Sequence, residues 1–381
     1  MLSDLRLTLR TLAKSPGFVV VAVLTLTLGI GVNAAIFGIV NGVLLRGLPS
    51  PESERLLTIN TGRPREGEPH SSLSHAEFAD LRARQKSFED LAAYADGTVS
   101  VSGSGGDPER VDGCTMRGAG ALPLRVPVTH GRWFTPEDDK PSASPTVVIG
   151  HRLWQTRYRG DPAVLGQPLK IDGEWATIIG VAPQGFQFPD RADLWRPARF
   201  AKTDESRDDR YLEVFGRLKP GVTLAQARAE LAAIGRQWAK DYVDTNKDRE
   251  LLTRPLHDAF VDDGTRKLIW IMFGAVGFVL LIACANVANL LLARAAVRQK
   301  EICVRVALGA GRGRIVRLLL AESLALSAAG AALGLPLASG LLALLNRDLQ
   351  ARPPPYWMTF EVDAVSVAYI AGLAVITTVM A

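Results

Sequence analysis

The chain has 381 residues, 48% hydrophobic and 22% charged, and its 44 Lys and Arg against 39 Asp and Glu leave a net charge of +5. Its three cysteines and scattered histidines (His70, His75, His130, His151 and His257) exclude a disulfide-stapled fold, a zinc-type ligand spacing and a His-Glu-x-x-His site. The basic excess is gathered beside apolar runs rather than on one folded surface, which excludes nucleic acid as a partner.

In chain order, Arg6, Arg10 and Lys14 precede an uncharged run, Pro16–Leu45, that ends at Arg46. A signal peptide has an apolar core of about 7–15 residues, and this run is about twice that, so it reads as a retained first transmembrane helix. Residues 46–267 form a large polar region. Leu268–Ala293 and Ser323–Asn346 are again uncharged. Each reaches the roughly 20 residues a helix needs to cross about 30 Å of hydrocarbon. A fourth run starts at Ala364 and meets the end of the chain at Ala381, so the chain reads as a piece of a longer protein, cut within a fourth transmembrane helix.

Lys and Arg resist translocation, so the charges set the orientation. The N-terminus and residues 294–322 are expected in the cytoplasm. Residues 46–267 and a short loop, 347–363, are expected outside. Only Cys114 lies in the large outer region, so no internal disulfide is possible there.

The outer region is long enough for one large or two small domains with real cores. Ser74–Gln85 opens with Ser74 and carries Glu77 three residues on, which predicts a capping box and an amphipathic helix. Thr223–Trp238 predicts a second helix, with Leu224, Ala227, Leu231 and Ile234 on one stripe. Strands are expected at Thr146–Ile149, Leu169–Ile171, Ala176–Val181 and Leu212–Arg217, with a tight hairpin at Asp172-Gly173 and a loop tip at Gly103–Gly106. Glu137, Asp138 and Asp139 read as a solvated acidic run, and Trp133, Trp154, Trp175 and Trp195 as packing residues.

Within the apolar runs, Asn33, Asn41, Cys284, Asn286 and Asn289 are polar. Gly38/Gly42 and Gly330/Gly334 are small-residue pairs that let helices approach closely. The expected role of both sets is to hold helices together. No acid or base stands within a run, which argues against a proton relay.

The segment from Ala293 to Ser323 carries Arg294, Arg298, Lys300, Arg305, Arg312, Arg314 and Arg317 against Glu301 and Glu322. Glu301 and Arg305 form an i,i+4 pair in the favourable order. Ile302, Val306 and Leu308 offer apolar anchors, Gly309 a helix stop, and residues 310–313 a compact turn. The bland reading is a basic loop that binds anionic lipid. Gly309–Gly313 is no phosphate loop, since no strand precedes it and no Lys-Ser/Thr follows, and the chain carries no Walker A motif.

Several stretches resemble known permeases. GRWFTPED (residues 131–138), residues 147–189 and GRLKPGVTLAQARAEL (residues 216–231) resemble the periplasmic core domain of MacB-type permeases. Residues 5–49 are similar to the same family, with an amphipathic cytoplasmic segment over residues 1–15, the first span, then LLRGLP. Residues 273–334 resemble the FtsX-like permease domain, most specifically at CANVANLLLAR and EICVRVALGAGRGRIVR. The long, duplicated orphan permeases are the subgroup most similar.

The resemblance implies a membrane α-helical permease with a large mixed α/β periplasmic domain inserted between the first and second transmembrane helices. It implies a bacterial inner-membrane protein with no cofactor of its own, whose ATP is bound and hydrolysed by a separate cytoplasmic subunit. By the same resemblance, Glu301, Ile302, Arg305, Val306, Leu308, Gly309 and Ala310 dock on that subunit, and their motion is transmitted to the periplasmic domain for export or extraction of a substrate. A second permease unit or a periplasmic protein is a further expected partner. A lipoprotein-sorting permease and a non-transporting scaffold or signalling protein are the alternatives.

Overall fold

The computed structural model describes residues 12, 15–63, 68–103, 107–118, 120–199, 206–297, 311–351 and 354–380. The predicted helix over residues 1–15, all but Leu12 and Ser15, and the predicted coupling residues 301–310 lie outside these. The chain divides into two compact units. One is helical and comprises residues 1–46, 263–353 and 358–381. The other, the sheet domain, comprises residues 47–262 with residues 354–357.

In chain order, the first span is helix α1 (Pro16–Val40), which ends in a π-helical turn over Asn41–Leu45. The sheet domain then contributes β1 (Leu56–Arg63), β2 (Glu68–Ser71), β3 (Leu73–Ser74), α2 (His75–Arg84), β4 (Phe88–Ser102), β5 (Glu109–Gly118) and β6 (His130–Gly131). It continues with β7 (Thr146–Ile149), α3 (His151–Tyr158), β8 (Pro168–Ile171), β9 (Glu174–Val181), β10 (Leu194–Pro197), β11 (Arg210–Leu218), α4 (Leu224–Asp241) and β12 (Glu250–Pro255). The chain returns to the helical unit with α5 (Asp263–Val297), α6 (Arg312–Asp348) and α7 (Ala364–Met380).

The predicted local signals are realised. Ser74 caps α2 and Glu77 returns to the Ser74 backbone at 2.9 Å. Thr223 and Gln226 make a second capping box on α4. Asp172 (φ 51°) and Gly173 (φ 93°) join β8 to β9, with Ile171 opposite Glu174. Positive φ at both central residues is the type I′ geometry whose twist matches that of the strands.

The strands form one mixed sheet in the order β12-β1-β11-β4-β5-β10-β7-β9-β6, with β2, β3 and β8 attached at the side. Two cores share it. Phe78 and Leu81 of α2 and Leu231 and Trp238 of α4 pack with Leu57, Phe88, Leu91 and Val214. Leu153 and Trp154 of α3 pack with Val99, Val101, Val147, Ile178 and Leu194. Strand β4 serves both, its first half in one core and its last residues in the other. At its partner strand's end only glycine fits: Gly118 has φ 82°, and a Cβ there would stand 2.5 Å from the Leu91 carbonyl oxygen.

Three expectations are corrected. The helices overrun the uncharged runs: α5 includes Arg266, Lys267 and Arg294, and α6 takes in Arg312–Glu322, so Gly313 is helical rather than part of a turn. Charge marks a membrane border and not a helix end. The acidic run is not simply solvated. Asp138 is 7% exposed, pairs with Arg132 at 2.7 Å and caps Thr135, while Asp139 accepts a 2.8 Å bond from the Gly118 amide. Trp175 is 52% exposed beside Lys170, unlike the buried Trp133, Trp154 and Trp195.

Candidate functional site

Helices α1, α5 and α6 each have an 18-residue or longer apolar stretch, and α7 is a shorter apolar helix. In α1, 56% of that stretch is buried, against 22% in α5 and α6, so α1 is the centre of its unit. The small residues explain how. A Cβ on Gly31 would meet Leu337 at 2.8 Å and the Gly334 carbonyl at 3.2 Å. Gly330 lies on Leu26, Gly38 on Leu342 and Gly29 on Ala283 in the same way. Backbone approach of this kind is the main source of helix adhesion where lipid removes the hydrophobic drive.

Polar side chains add joints between the same helices. Asn33 Nδ2 donates to the Val276 carbonyl at 2.7 Å and to its own helix at Gly29. Ser327 of α6 and Thr377 of α7 are both fully buried and hydrogen-bonded at 3.1 Å. Asn41, in the π-helical turn, donates to Asp363 at 2.8 Å, and Arg46 stands 3.6 Å from the same carboxylate. Asp363 in turn accepts the Ser366 amide and hydroxyl at the start of α7. Asn33 and Asn41 thus have the packing role expected of them. Asn286 and Asn289, one helical turn apart on α5, are exposed instead.

At the opposite end, three helices converge on the ends of the basic segment. The Arg294 guanidinium of α5 lies 4.8 Å over the Phe18 ring of α1, and its Nη1 is 4.0 Å from Glu322 Oε2 of α6. The two charged side chains are only 13% and 4% exposed. Helix α5 is described to Val297 and α6 starts after the Gly311 cap, so residues 298–310 enter and leave between these ends. Both charges were visible in the sequence, but their pairing was not: they sit on different helices, and no local spacing rule links them.

The sheet domain has a cavity of about 430 Å³ between the N-terminal turn of α3 and the loop carrying Gln184–Gln187. His151, Arg152, Gln155, Gln184, Gln187 and Asp193 line it. Arg152 is held by Asp193 with a 2.7 Å bond and faces Glu109 at 3.7 Å. The Asp193 hydrogen bond raises the Arg152 pKa against the effect of burial, so the guanidinium is charged and already neutralised. Beside the Arg152–Asp193 pair, the cavity offers the side-chain amides of Gln155, Gln184 and Gln187 and the His151 ring. Among the described residues no cluster of three or more His, Cys, Asp or Glu could hold a metal ion, and the cavity pairs no nucleophile with a base.

Comparison with known proteins places this architecture. A profile described as MacB-like periplasmic core domain matches residues 19–234, and one described as FtsX-like permease C-terminal matches residues 273–381. The macrolide export ATP-binding/permease protein MacB of Rhodopseudomonas palustris is 26% identical over 325 residues, covering 80% of this chain and 46% of the relative. The pyoverdine export ATP-binding/permease protein PvdT of Pseudomonas savastanoi pv. phaseolicola is 26% identical over 255 residues, covering 65% of this chain and 37% of the relative. The chain therefore spans less than half the length of these relatives. The periplasmic region of MacB from Actinobacillus actinomycetemcomitans aligns with 59% of this chain and 95% of its own length, at 12% identity and a TM-score of 0.41. With a core-domain profile over more than half its length, followed by a permease profile, the chain belongs to the MacB/FtsX-type ABC transporter permeases.

Proposed function

We propose that this chain is the permease unit of an ATP-driven exporter or extractor in the bacterial inner membrane. Residues 46–267 and 347–363 face the periplasm, and the basic segment faces the cytoplasm. An ATP-binding subunit docks on Glu301, Ile302, Arg305, Val306, Leu308, Gly309 and Ala310. ATP binding and hydrolysis there shift the helices, and the periplasmic domain responds by acting on a substrate or a periplasmic protein. The relatives' names pair ATP-binding with permease function. Residues 1–381 carry no Walker A motif, so the ATP-binding component of the proposed transporter lies outside these residues.

The observation that carries this reading is the Phe18–Arg294–Glu322 joint. It fastens α1, α5 and α6 where residues 298–310 leave the bundle, so a force on that segment is borne by three helices together. A loop that only bound lipid headgroups would need no buried ion pair at its base. The exposed Asn286 and Asn289 favour a second permease unit against α5, since polar groups on a membrane helix are costly unless another helix covers them.

The test is recovery of an ATP-binding partner with the full-length protein from membranes. Val306→Asp with Leu308→Asp should abolish recovery at an unchanged membrane level, because an unpaired carboxylate in an apolar contact costs a few kcal/mol, on the order of 2–7. Neutralising Arg312, Arg314 and Arg317 should matter less. Normal recovery with the double variant would remove the transporter reading and favour a scaffold.

A further inference from the structure

Residues 354–357 (Pro-Pro-Tyr-Trp) belong to the sheet domain by their contacts, while the chain on both sides of them belongs to the helical unit. Trp357 is 4% exposed and stands edge-on to Phe260 at 4.5 Å, and Tyr356 stands edge-on to Phe186 at 5.9 Å. From these contacts an aromatic column runs into the domain. Phe186 leads to Trp195 at 5.2 Å and Trp133 at 5.5 Å. Phe260 leads to Phe188 at 6.2 Å, and Phe188 to Phe215 at 5.1 Å.

The inner end of the column is finished as a permanent core. Trp195, Phe188 and Phe215 are wholly buried, and the Trp195 and Trp133 indole N–H groups donate to the Phe188 and Val126 carbonyls at 2.7 and 2.8 Å. The end made by residues 354–357 is different. Tyr356 and Phe260 are partly exposed. Trp357 Nε1 is buried and finds no acceptor among the described residues. A buried donor left unpaired has given up water without return. Ring contact therefore favours insertion of Trp357, and its own N–H opposes it.

The two prolines have fixed φ, so the segment loses little freedom on docking and presents its rings as a prepared unit. Phe186 lies in the loop that also lines the 430 Å³ cavity, so the docked segment and the cavity share a wall.

We propose that the recess edged by Phe186 and Phe260 is a binding site for short proline–aromatic segments, that Pro354–Trp357 is its resident occupant, and that this segment exchanges between docked and withdrawn states. Because the segment continues into α6 and α7 through the chain, its withdrawal is available to motion of those helices. The inference does not depend on which substrate the protein handles.

The test uses the full chain in lipid nanodiscs and a fluorescent, end-capped Pro-Pro-Tyr-Trp peptide. The unaltered chain competes with the peptide for its own site. Trp357→Ala vacates that site and should bind the peptide saturably, about tenfold or more tightly than the unaltered chain. Phe186→Ala added to Trp357→Ala should abolish that binding. Trp357→Phe keeps a ring and removes the orphan N–H, so it should bind the peptide more weakly than the unaltered chain. Amide hydrogen exchange at residues 184–188 should rise with Trp357→Ala and fall with Trp357→Phe, with the rest of the sheet domain unchanged. Unchanged exchange at 184–188 in Trp357→Ala together with no peptide binding would overturn the proposal. So would Trp357→Phe matching Trp357→Ala in both readouts. Should Trp357→Ala misfold, Tyr356→Ala is read by the same two measurements and criteria.

Discussion

Removing one partner of the Arg294–Glu322 pair should destabilise the helical unit far more than removing both. At 4.0 Å and an effective dielectric near 20, the attraction is about 4 kcal/mol. Both charges are largely buried, so both have already lost much of their hydration. Glu322→Leu removes this carboxylate from Arg294 and keeps the Phe18 ring contact, worth about 1–2 kcal/mol when desolvated. The single variant should therefore cost about 3 kcal/mol, and Arg294→Met a similar amount. The double variant replaces the ions by apolar groups of similar volume and should cost about 1 kcal/mol or less. The coupling in a double-mutant cycle is then about 5 kcal/mol. Denaturant unfolding of the purified full chain in detergent, followed by far-UV circular dichroism, reads all four corners. A double variant whose loss equals the sum of the singles would refute the reasoning, because the two side chains would then be acting separately.

Three further outcomes follow from the same geometry. Burial raises the Asp139 pKa to about 6 against the Gly118 amide bond and Arg117, so Asp139 contributes stability below its unfolded value that is lost as pH rises through about 6. Asp139→Asn should flatten the pH dependence of outer-domain melting between about pH 4 and 6 by about 1–2 kcal/mol, allowing for solvent screening, and an unaltered pH profile would count against it. Gly330→Leu places a side chain where a single Cβ already stands 2.7 Å from Leu26, and should abolish stable insertion or folding, read by protease resistance in membranes, whereas Gly340→Leu, which meets nothing within 4 Å, should be tolerated. Glu77 is fully buried and accepts from Arg210 at 2.8 Å and Asn246 at 2.6 Å, so Glu77→Ala should cost about 3–5 kcal/mol in thermal unfolding, and a loss under 1 kcal/mol would deny the network its role.

What the sequence made legible was local. The Ser74/Glu77 and Thr223 helix starts, the Asp172-Gly173 hairpin and the apolar runs are each decided by residues a few positions apart, and each is found in the structure. Strand β4 was not legible. Its burial does not alternate, because Phe88, Leu91 and Ala93 belong to one core and Val99 and Val101 to another, with Gly97 and Thr98 exposed between them. The short β10 gave no pattern for the same reason: Trp195 belongs to an aromatic column assembled from residues far apart in the chain. The acidic run misled because charge was read as solvation, and only the fold shows that Arg132 and the Gly118 amide stand opposite Asp138 and Asp139. The Phe18–Arg294–Glu322 joint failed to appear for that reason too, since each member lies on a different helix.

The way the helical unit is built bears on how the proposed coupling could travel. A push on residues 298–310 arrives first at the ends of α5 and α6, which the Arg294–Glu322 pair holds together. Neither helix can then slide freely against α1. Gly29 packs on Ala283 and Leu280, Gly31 on Leu337 and Gly334, and Gly330 on Leu26, and Asn33 fixes the register of α1 on α5. Close-packed contacts of this kind shift as a set rather than stretch. Under the proposed coupling, a movement of α5 and α6 would be passed to α1 along its length. At the far end of α1 the backbone widens into the π-helical turn at Asn41–Leu45, a geometry rare enough to need outside support, and Asn41 and Arg46 supply it by holding Asp363 at the head of α7. Immediately after this turn, at Gly47, the chain becomes the sheet domain. If the proposed coupling displaces α1, loss of the Asn41–Asp363 bond would let the turn change from the i→i+5 bond of the Arg46 amide to the Asn41 carbonyl to the i→i+4 bonds of regular α-helix.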